Sequence, residues 1–532
     1  MLARFACLLL ACSSLASAQN RVWVDPVFGD DSTGTNDPDL PFRTITAAAT
    51  AVEAMFPASE RFVLIKPGEY GVSSGEIFPL EPLAGTRLIG LGGSGQTRLY
   101  RHNGALVRFA VESGMAPSIA GLQVGGSSSV GNTSQEFGVH YQGLEQLSVT
   151  DCALHGLATG VSSPRVAVTD SDFHSVQRGI QTVWGDEMNP IAIERCSFEE
   201  FGFAILVHME GTFDNECLIR DVTFMDGESV FDVLACYSNG ARMNLAVERC
   251  SITDVNSPFH GGIWALSSSL RFNIKISDSL LAARDSAIHC SQGTTGDVEL
   301  LRCTVDGLGM SPYPGNDVDE LDLIDCISVG HSVDDAGGAN AENCYLQSSP
   351  SIGTMGNLTA ASPGFRSPAT GDYRLLWNSV CVDAAGASAI GTDADGLPRN
   401  VDGNLDGGAV SDLGAHELQT LALPAEVPLG GSYSIELLGP PGGTYQLLFS
   451  RTGLAQQPLA TPFGDYYLPP PTSTRLLTGS YNSGTGTQIP LGVPNLASFV
   501  GMEFAFQAMA YDSSLPGGAA LSQAALMTVT ID

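Results

Sequence analysis

Short alternating stretches of apolar and polar residues run through most of the chain, and one of them recurs as a repeat. Each copy is a strand-like run that ends in a polar residue, a small residue and an apolar residue. The nine copies are VTDCAL, VTDSDF, IERCSF, IRDVTF, VERCSI, ISDSLL, LLRCTV, LIDCIS and AENCYL. Eight intervals cover the 192 positions from Cys152 to Cys344, a mean of 24 residues. Because strands rather than helices fill this period, the pattern predicts the coils of a parallel β-helix, in which each coil buries its inward side chains against its neighbours.

A second, weaker pattern lies between these copies. Its members are GVHY, GVSS, GIQTV, GFAILVH, VFDVLA, GGIWAL and SAIHC. Short strands introduced by a small residue are expected on another face of the coil after a turn. Alternation turns four of their residues inward, namely Val139, Ile180, Ile263 and Ile288. The residues that alternation turns outward are His140, Gln181, Trp264 and His289.

Stacked coils would align the outward side chains in a stripe. His208 and Asp232 could also be part of this stripe. An indole stacks on a sugar ring, and polar groups bond the hydroxyls of the sugar. The predicted substrate-binding residues are therefore Trp264, His140 and Gln181. If the protein is an enzyme, the predicted acid and base residues are Asp232, His208 and His289. The alternative is a solvent-facing surface that binds no ligand.

The two ends of the chain differ from the repeats. Residues 24–45 form an acidic loop, VDPVFGDDSTGTNDPDLPFRTI, and residues 44–56 are the only helical candidate. A helix there would cover the open edge of the first coil. We therefore predict an N-terminal cap over residues 19–60 and a β-helix over residues 61–420. Residues 421–532 contain short strands separated by Pro and Gly, which predicts a small antiparallel β-sandwich.

Both ends of the repeat region carry motifs that resemble a known family. WVDPVFGDDSTGTNDPDLPFRTITAA, VLIKPGEY and LIGLGGSGQTRL resemble the N-terminal signature of secreted proteins of the pectin-lyase-like superfamily. GTDADGLPRNVDGNLDGGAVSDLGAHE, residues 391–417, is similar to the segment that closes many bacterial members. The resemblance covers about residues 21–418 and implies an all-β fold: a right-handed, single-stranded parallel β-helix with a short N-terminal capping helix, followed by the β-sandwich. It implies no single activity, because the superfamily includes lyases, hydrolases, epimerases and proteins without a known reaction.

The first residues of the chain predict export. Arg4, an apolar run over residues 5–11 and the small residues at 16–18 indicate a signal peptide over residues 1–18. The alternative is a lipoprotein anchored through Cys12, because residues 9–12 resemble a lipobox. No later stretch approaches the ~20 uninterrupted apolar residues of a membrane helix, so no transmembrane segment is predicted.

Charge narrows the range of partners. The net charge is −33, which repels nucleic acid and anionic membranes. It also repels polyanionic sugars unless a cation bridges the two surfaces. We therefore predict a secreted carbohydrate-directed protein that binds an extracellular polysaccharide or cell-surface glycan and that could also cleave it. The alternative is a non-enzymatic surface or adhesion protein that uses the β-helix as a rigid scaffold.

The small position of the repeat is often cysteine, which leaves three interpretations open. No CxxC pair is present, so a tetrahedral metal site is not indicated. Neighbouring coils lie about 4.8 Å apart, which allows a disulfide between Cys303 and Cys326 or between Cys326 and Cys344. Small inward thiols packed as apolar side chains are the preferred interpretation.

Acidic residues near the end of the repeats suggest a calcium site. Asp393, Asp395, Asp402 and Asp406 lie in the pieces DADG and DGNLDGG, and calcium prefers clustered oxygen ligands. The spacing does not match an EF-hand, and Asp residues also build turns by bonding their own backbone. The same alternatives apply to the opening loop, at Asp30, Asp31, Asp37 and Asp39. Calcium is the one cofactor the sequence suggests.

Recognised catalytic signatures are absent from the sequence. The GxGxxG pattern at residues 90–95 is followed by QTRLY, a strand rather than a helix, which favours a turn over a dinucleotide site. A pectate-lyase-like mechanism needs a cationic base and calcium-binding aspartates, but Lys66 lies in a turn of the cap region and Lys275 has no acidic cluster nearby, so the match fails unless an arginine serves as the base. GHSVDDAGG has the elements of a polygalacturonase-like site in the wrong order. GxSxG and HExxH do not occur.

Overall fold

The computed structural model describes most of the chain. The described residues are 20–57, 59–101, 105–111, 114–126, 137–182, 191–210, 214–225, 234–239, 242–255, 263–266, 271–283, 288–290, 295–306, 310–312, 317–330, 339–347, 356–386, 391–482 and 486–531.

The first long sheet, which we call face 1, contains thirteen strands that pair in chain order and in parallel. Alternating Val, Ile and Leu residues make these strands, and their apolar side chains point into the core. The strands are Arg21–Val24, Arg61–Ile65, Thr86–Gly90, Ser118–Ala120, Leu147–Thr150, Val166–Thr169, Ile191–Glu194, Asp214–Arg220, Arg242–Glu248, Arg271–Ser277, Thr295–Leu301, Asp317–Ile324 and Ala339–Glu342.

The remaining strands of the repeats form two further parallel stacks, faces 2 and 3. Three long strands run through both faces: Ala153–Ser162, Asp172–Gln181 and Ser197–Glu210. Face 2 otherwise contains Gly68–Gly71, Thr97–Tyr100, Gln123–Gly125, Thr223–Met225, Ser251–Val255, Leu280–Ala283, Thr304–Asp306, Ile327–Val329 and Tyr345–Leu346. Face 3 otherwise contains Val107–Phe109, Phe137–Tyr141, Leu234–Asn239, Ile263–Leu266, Ile288–Cys290 and Met310–Pro312. The fold is a right-handed parallel β-helix, as predicted.

The turn from face 1 to face 2 uses one residue per coil with positive φ, and we call this set the turn column. Its φ angles lie between 50° and 56°, in the left-handed region. Its members are Asp151, Asp170, Arg195, Asp221, Arg249, Asp278, Arg302, Asp325 and Asn343. Asp and Asn tolerate this conformation better than most residues, whereas Arg does not. Another interaction must therefore favour the arginines.

That interaction is an ion pair with the preceding coil. The guanidinium of Arg302 donates to both carboxylate oxygens of Asp278, at 2.7 and 2.8 Å. Arg195 makes the same two-bond contact with Asp170, and Arg249 makes it with Asp221. Two parallel charge-assisted hydrogen bonds fix the geometry as well as the attraction. The turn column therefore ties coils together in pairs.

Inside the turn column, the small position of the repeat forms a ladder of thiols and hydroxyls. Eight cysteines of the described part are free and buried: Cys152, Cys196, Cys217, Cys250, Cys303, Cys326, Cys344 and Cys381. Cys326 Sγ donates to the carbonyl two residues earlier, at 3.2 Å, and accepts from the backbone N–H of Cys303, at 3.3 Å. Burial raises the pKa of Cys152 and Cys250 to about 12, which keeps them protonated. The preferred interpretation of packed thiols is confirmed for the six cysteines at the small position of the repeat, residues 152, 196, 250, 303, 326 and 344.

Aromatic rings stack on one another in the middle coils of the core. The rings of Phe173, Phe198 and Phe224 stack with centroid separations of 4.6 and 5.2 Å. Room for them comes from small residues at the start of face 3. A Cβ on Gly179 would lie 2.5 Å from the Phe198 ring and 2.6 Å from the carbonyl oxygen of Ala204. The small residue of the second sequence pattern is therefore a packing requirement.

A helix, Ile45–Met55, closes the first coil, as predicted. Its buried side, which includes Ile45 and Val52, packs on the core, and the Thr44 side chain caps its first turn. The buried Glu76 carboxylate accepts from the N–H groups of Ile45 and Thr46, at 2.7 and 3.1 Å. In the acidic opening loop, Asp31 accepts from the backbone and side chain of Thr44. This loop therefore holds the start of the helix.

A hairpin of Phe365–Ser367 and Asp372–Leu375 follows the last coil, and residues 391–417, the closing segment, lead to the sandwich. One sandwich sheet contains, in spatial order, Leu421–Ala422, Ser432–Leu437 and Thr487–Gly492. The other contains Glu426–Pro428, Ala519–Thr530, Glu503–Tyr511, Thr444–Ser450 and Ser473–Ser480. A small hairpin pairs Leu459–Thr461 with Gly464–Tyr466. The 3₁₀ turns are Val72–Ser74, Pro368–Thr370, Ala497–Phe499 and Pro516–Gly518. Among the described residues, no helix is both long and apolar enough to cross a bilayer.

Candidate functional site

Four of the residues predicted to line a stripe share one register column of face 3. The column runs through His140, Ser162, Gln181, Leu206, Ala235, Trp264 and His289. His208 pairs with Tyr237, two residues further along the strands. Asp232 and the side chains of His208, Trp264 and His289 lie outside the described parts. The alignment of the coils is therefore as expected, and the roles of these residues stay predictions.

The described members of this column are largely covered. Ser162 and Leu206 are buried, and His140 is only partly exposed. His140 Nδ1 has no hydrogen-bond partner among the described residues. Burial, followed by the nearby positive charge of Arg108, lowers the pKa of His140, so its imidazole is neutral at pH 7. This end of face 3 thus offers little surface to a polymer.

Face 2 presents a more open site at the N-terminal coils, which we call the groove. It is a cavity of about 350 Å³. Its lining residues are Glu69, Tyr70, Gly71, Ser73, Arg98, Leu99, Tyr100, Gln123 and His155. The Tyr100 side chain projects between Gly71 and Gly125, its register partners on the two neighbouring coils. Because those neighbours have no side chains, Tyr100 remains 44% exposed.

Polar groups surround this exposed ring. Arg98 forms an ion pair with Glu69 at 3.6 Å, and both side chains are largely in solvent. Gln123 Nε2 lies 2.8 Å from His155 Nε2. Burial, then the nearby His174 and Arg98, lower the pKa of His155. A neutral His155 therefore accepts the hydrogen bond from Gln123, which places the ring proton on Nδ1.

Gly125 is needed to bring His155 into the groove. A Cβ on Gly125 would lie 2.6 Å from Cε1 of the His155 ring. The imidazole therefore lies directly over the backbone of the preceding coil. Any side chain at position 125 would push it away from Gln123.

The same column of face 2 continues into acidic residues. His174 is the register partner of His155, and Glu199 is the partner of His174. His174 contacts Glu199 at 3.3 Å through Nδ1 and Glu200 at 3.5 Å through Nε2. In the neighbouring column, Ser197 Oγ donates to Asp172 at 2.6 Å. Hydrogen-bond donors and acceptors therefore extend over at least five coils.

Reasoning from the sequence missed this column, although a signal was present. His155, His174 and Glu199 each lie three residues after the small position of their repeat, at Cys152, Ser171 and Cys196. Aligning the copies on that position would have placed the three side chains together.

The residues predicted to bind calcium hold turns in the closing segment. Asp393 accepts three backbone N–H bonds, at 2.8 to 3.0 Å. Asp402 accepts from Asp406 and Gly407, and Asp406 accepts from Gly408. These contacts show the turn-building role that was the alternative. Calcium binding by Asp393, Asp395, Asp402 and Asp406 stays a prediction.

Comparison with known proteins assigns no activity to this chain. Residues 27–194 match the model of a family described as a protein of unknown function, DUF1565. No curated protein matches the chain. The enzymatically active domain of tailspike protein 2 of bacteriophage CBA120 is similar over 92% of this chain and 74% of its own, with 9% identity and a TM-score of 0.21. The corresponding domain of tailspike protein 4 of the same phage is similar over 91% of this chain and 66% of its own, with 11% identity and a TM-score of 0.21. Similarities this distant do not assign a reaction or a ligand.

Proposed function

We propose that this chain is a secreted protein that binds an extracellular polysaccharide or cell-surface glycan in the groove of face 2. The observation that supports this is the exposed Tyr100 ring, which lies in a cavity with a cation, a carboxylate, an amide and a neutral imidazole around it. A sugar ring offers an apolar face for stacking and hydroxyls for hydrogen bonds. A cavity of about 350 Å³ is within the usual range of ligand sites.

The geometry of the coils suits a polymer. Coils repeat about every 4.8 Å, so equivalent positions recur along the axis. A linear glycan lying across the coils would pass from Tyr100 to His155 and then to His174. Several weak contacts on one rigid surface add up without ordering the protein.

Charge supports a ligand that is neutral or carries amines. Beyond Arg98, the later coils of face 2 present three carboxylates, those of Asp172, Glu199 and Glu200. The chain as a whole has a net charge of −33. Polyuronates would be repelled by this surface, whereas a neutral or amine-bearing polysaccharide would not.

Cleavage is a second candidate, and one contact favours it. His174 contacts two carboxylates, Glu199 and Glu200, and general acid–base catalysis uses histidine and carboxylate side chains. Release of reducing ends, or absorbance of unsaturated products, from a bound polysaccharide would reveal it. His174→Ala should then abolish turnover, while the contacts at Tyr100 and His155 keep part of the retention.

Affinity electrophoresis in gels that contain single polysaccharides tests binding. We expect Tyr100→Ala to weaken retention by roughly 5–30-fold, the loss of about 1–2 kcal/mol that an exposed aromatic anchor provides. Tyr100→Phe should keep most of the retention. Phe28→Ala removes an aromatic side chain outside the groove that is even more exposed, at 84%, and serves as the control.

Two glycine substitutions test whether binding depends on the position of the His155 ring. Gly125→Ala should reduce retention by displacing His155, whereas Gly95→Ala, where a Cβ meets open space, should not. Unchanged retention in Tyr100→Ala and Gly125→Ala would move the binding surface elsewhere. No retention of the wild-type chain by any polysaccharide would favour the scaffold alternative.

A further inference from the structure

Three side chains of the closing segment converge on one point, although they come from its two ends. Asp393 and Asp395 lie in one turn, and His416 lies more than twenty residues later. One possible ligand atom of each lies within 4.8 Å of the others. His416 Nδ1 is 3.2 Å from Asp395 Oδ2. This set includes an imidazole, which the predicted calcium ligands did not.

The backbone fixes two of these side chains relative to each other. Buried Asp393 accepts from the N–H groups of Asp395 and Leu397 through Oδ1, and from the N–H of Glu417 through Oδ2. Glu417 follows His416 directly, so the Asp393 carboxylate is bound to the backbone beside the imidazole. Among the described residues Oδ2 accepts one hydrogen bond, from the N–H of Glu417, and a carboxylate oxygen has two lone pairs. Asp393 is therefore held in place and still has capacity for a ligand.

Access and charge also suit a cation. The Asp395 side chain is 44% exposed, whereas that of His416 is 9% exposed. The nearby arginines are engaged with other carboxylates: Arg366 with Glu436 at 2.7 Å, and Arg374 with Asp372 at 2.8 Å. Two carboxylates then face one imidazole at a position that solvent can reach.

The ligand types decide which cation fits. Calcium takes oxygen ligands, whereas imidazole nitrogen suits zinc, copper, nickel and iron. Zn²⁺ holds nitrogen and oxygen ligands at about 2.0–2.2 Å. We propose that Asp393, Asp395 and His416 form a site for a divalent transition metal such as Zn²⁺, with water in the remaining positions.

Such a site would join the two ends of the closing segment. It is independent of the proposed glycan binding, because it lies at the opposite end of the β-helix from the groove. Its role would be structural: one ion would hold the turn at 393–397 against residue 416 and thereby keep the last coils covered.

Metal binding to the full chain, stripped with a chelator and then dialysed against ZnCl₂, tests the proposal. We expect about one Zn²⁺ per chain by elemental analysis and a Zn²⁺-dependent rise in the melting temperature. Asp395→Asn and His416→Gln should each weaken binding at least tenfold. Asp465→Asn, an exposed aspartate of the sandwich, is the matched control and should bind as the wild type does.

A second readout keeps the test decisive if His416→Gln folds poorly. Co²⁺ bound to the wild type should give a visible d–d spectrum that is lost in Asp395→Asn, whose side chain is partly in solvent. Zn²⁺ binding that both variants leave unchanged would overturn the proposal. So would the absence of Zn²⁺ binding with Ca²⁺ bound in its place, which would instead support the calcium prediction.

Discussion

Arg399 holds the closing segment on the last coils, and its removal gives the sharpest test of the fold. Its side chain is 1% exposed. One guanidinium nitrogen donates to the carbonyl oxygens of Gly414 and Ala415, both at 2.9 Å. The group also forms ion pairs with Asp278 at 2.8 Å and with Glu417 at 3.7 Å. Arg399 therefore joins a carboxylate of the turn column to the closing segment itself.

The substitution Arg399→Met keeps most of the volume and removes the charge. Asp278 keeps its contact with Arg302, but Glu417, whose side chain is fully buried, loses its cation. Removing one partner of a buried pair costs about 3–5 kcal/mol, because the other charge is left uncompensated. At about 1.4 kcal/mol per factor of ten, the opening equilibrium should shift by roughly two to three and a half powers of ten.

Hydrogen exchange read by mass spectrometry measures the opening of this segment alone. A melting temperature would instead combine the unfolding of several parts of the chain. We expect amides of residues 391–417 to lose protection by about 100-fold or more, while amides of the first coils are unchanged. Arg451→Met removes an exposed arginine of the sandwich and is the control. Protection within threefold of wild type in Arg399→Met would refute the role assigned to Arg399.

Three further predictions concern the core, calcium and pH. Phe198→Ala, in the centre of the stacked rings, should destabilise the surrounding coils by about 3–5 kcal/mol in denaturant unfolding, and Phe198→Leu by clearly less. If Asp402 and Asp406 bind calcium, added Ca²⁺ should raise the melting temperature and Asp406→Asn should remove the effect; identical curves with Ca²⁺ and with chelator would exclude it. Burial raises the pKa of Glu76, so the folded state holds that proton more tightly than the unfolded chain does. The stabilisation is then present below the ordinary carboxyl pKa and is lost as pH rises through the raised value. Exchange protection of the helix, corrected for intrinsic rates, should therefore be greater below the ordinary carboxyl pKa than above the raised value, and Glu76→Gln should flatten the dependence.

The fold could be predicted because each coil repeats the same local solution. The residue before the small position is Asp, Arg or Asn in all nine copies, and the structure shows why: it must adopt a positive φ. The period and the packed thiols followed from this pattern, whereas the helix that caps the first coil followed from the separate segment at residues 44–56. The early coils do not follow the repeat pattern. At the third coil Gly121, with a φ of 66°, takes the turn position, and Leu122 takes the small position.

The groove could not be predicted for the same physical reason. It is built on those irregular coils, where Tyr100, Gln123 and Gly125 lie outside any recognisable copy. The stripe on face 3 was inferred from alternation, which gives the side of a strand but not what covers it. His140 is on the expected register position and is nevertheless largely enclosed.

The pairing of charges in the turn column sets a rule for how this chain can change length. Asp170, Asp221 and Asp278 each receive an arginine from the following coil, so the column has a period of two coils rather than one. Between Asp170 and Arg302, excising the single coil of Asp221 or Asp278 would place two arginines at adjacent levels, whereas excising a neighbouring pair of coils would keep every remaining partner. Variants that change the length of this part of the β-helix are therefore expected to do so in steps of two coils, about fifty residues.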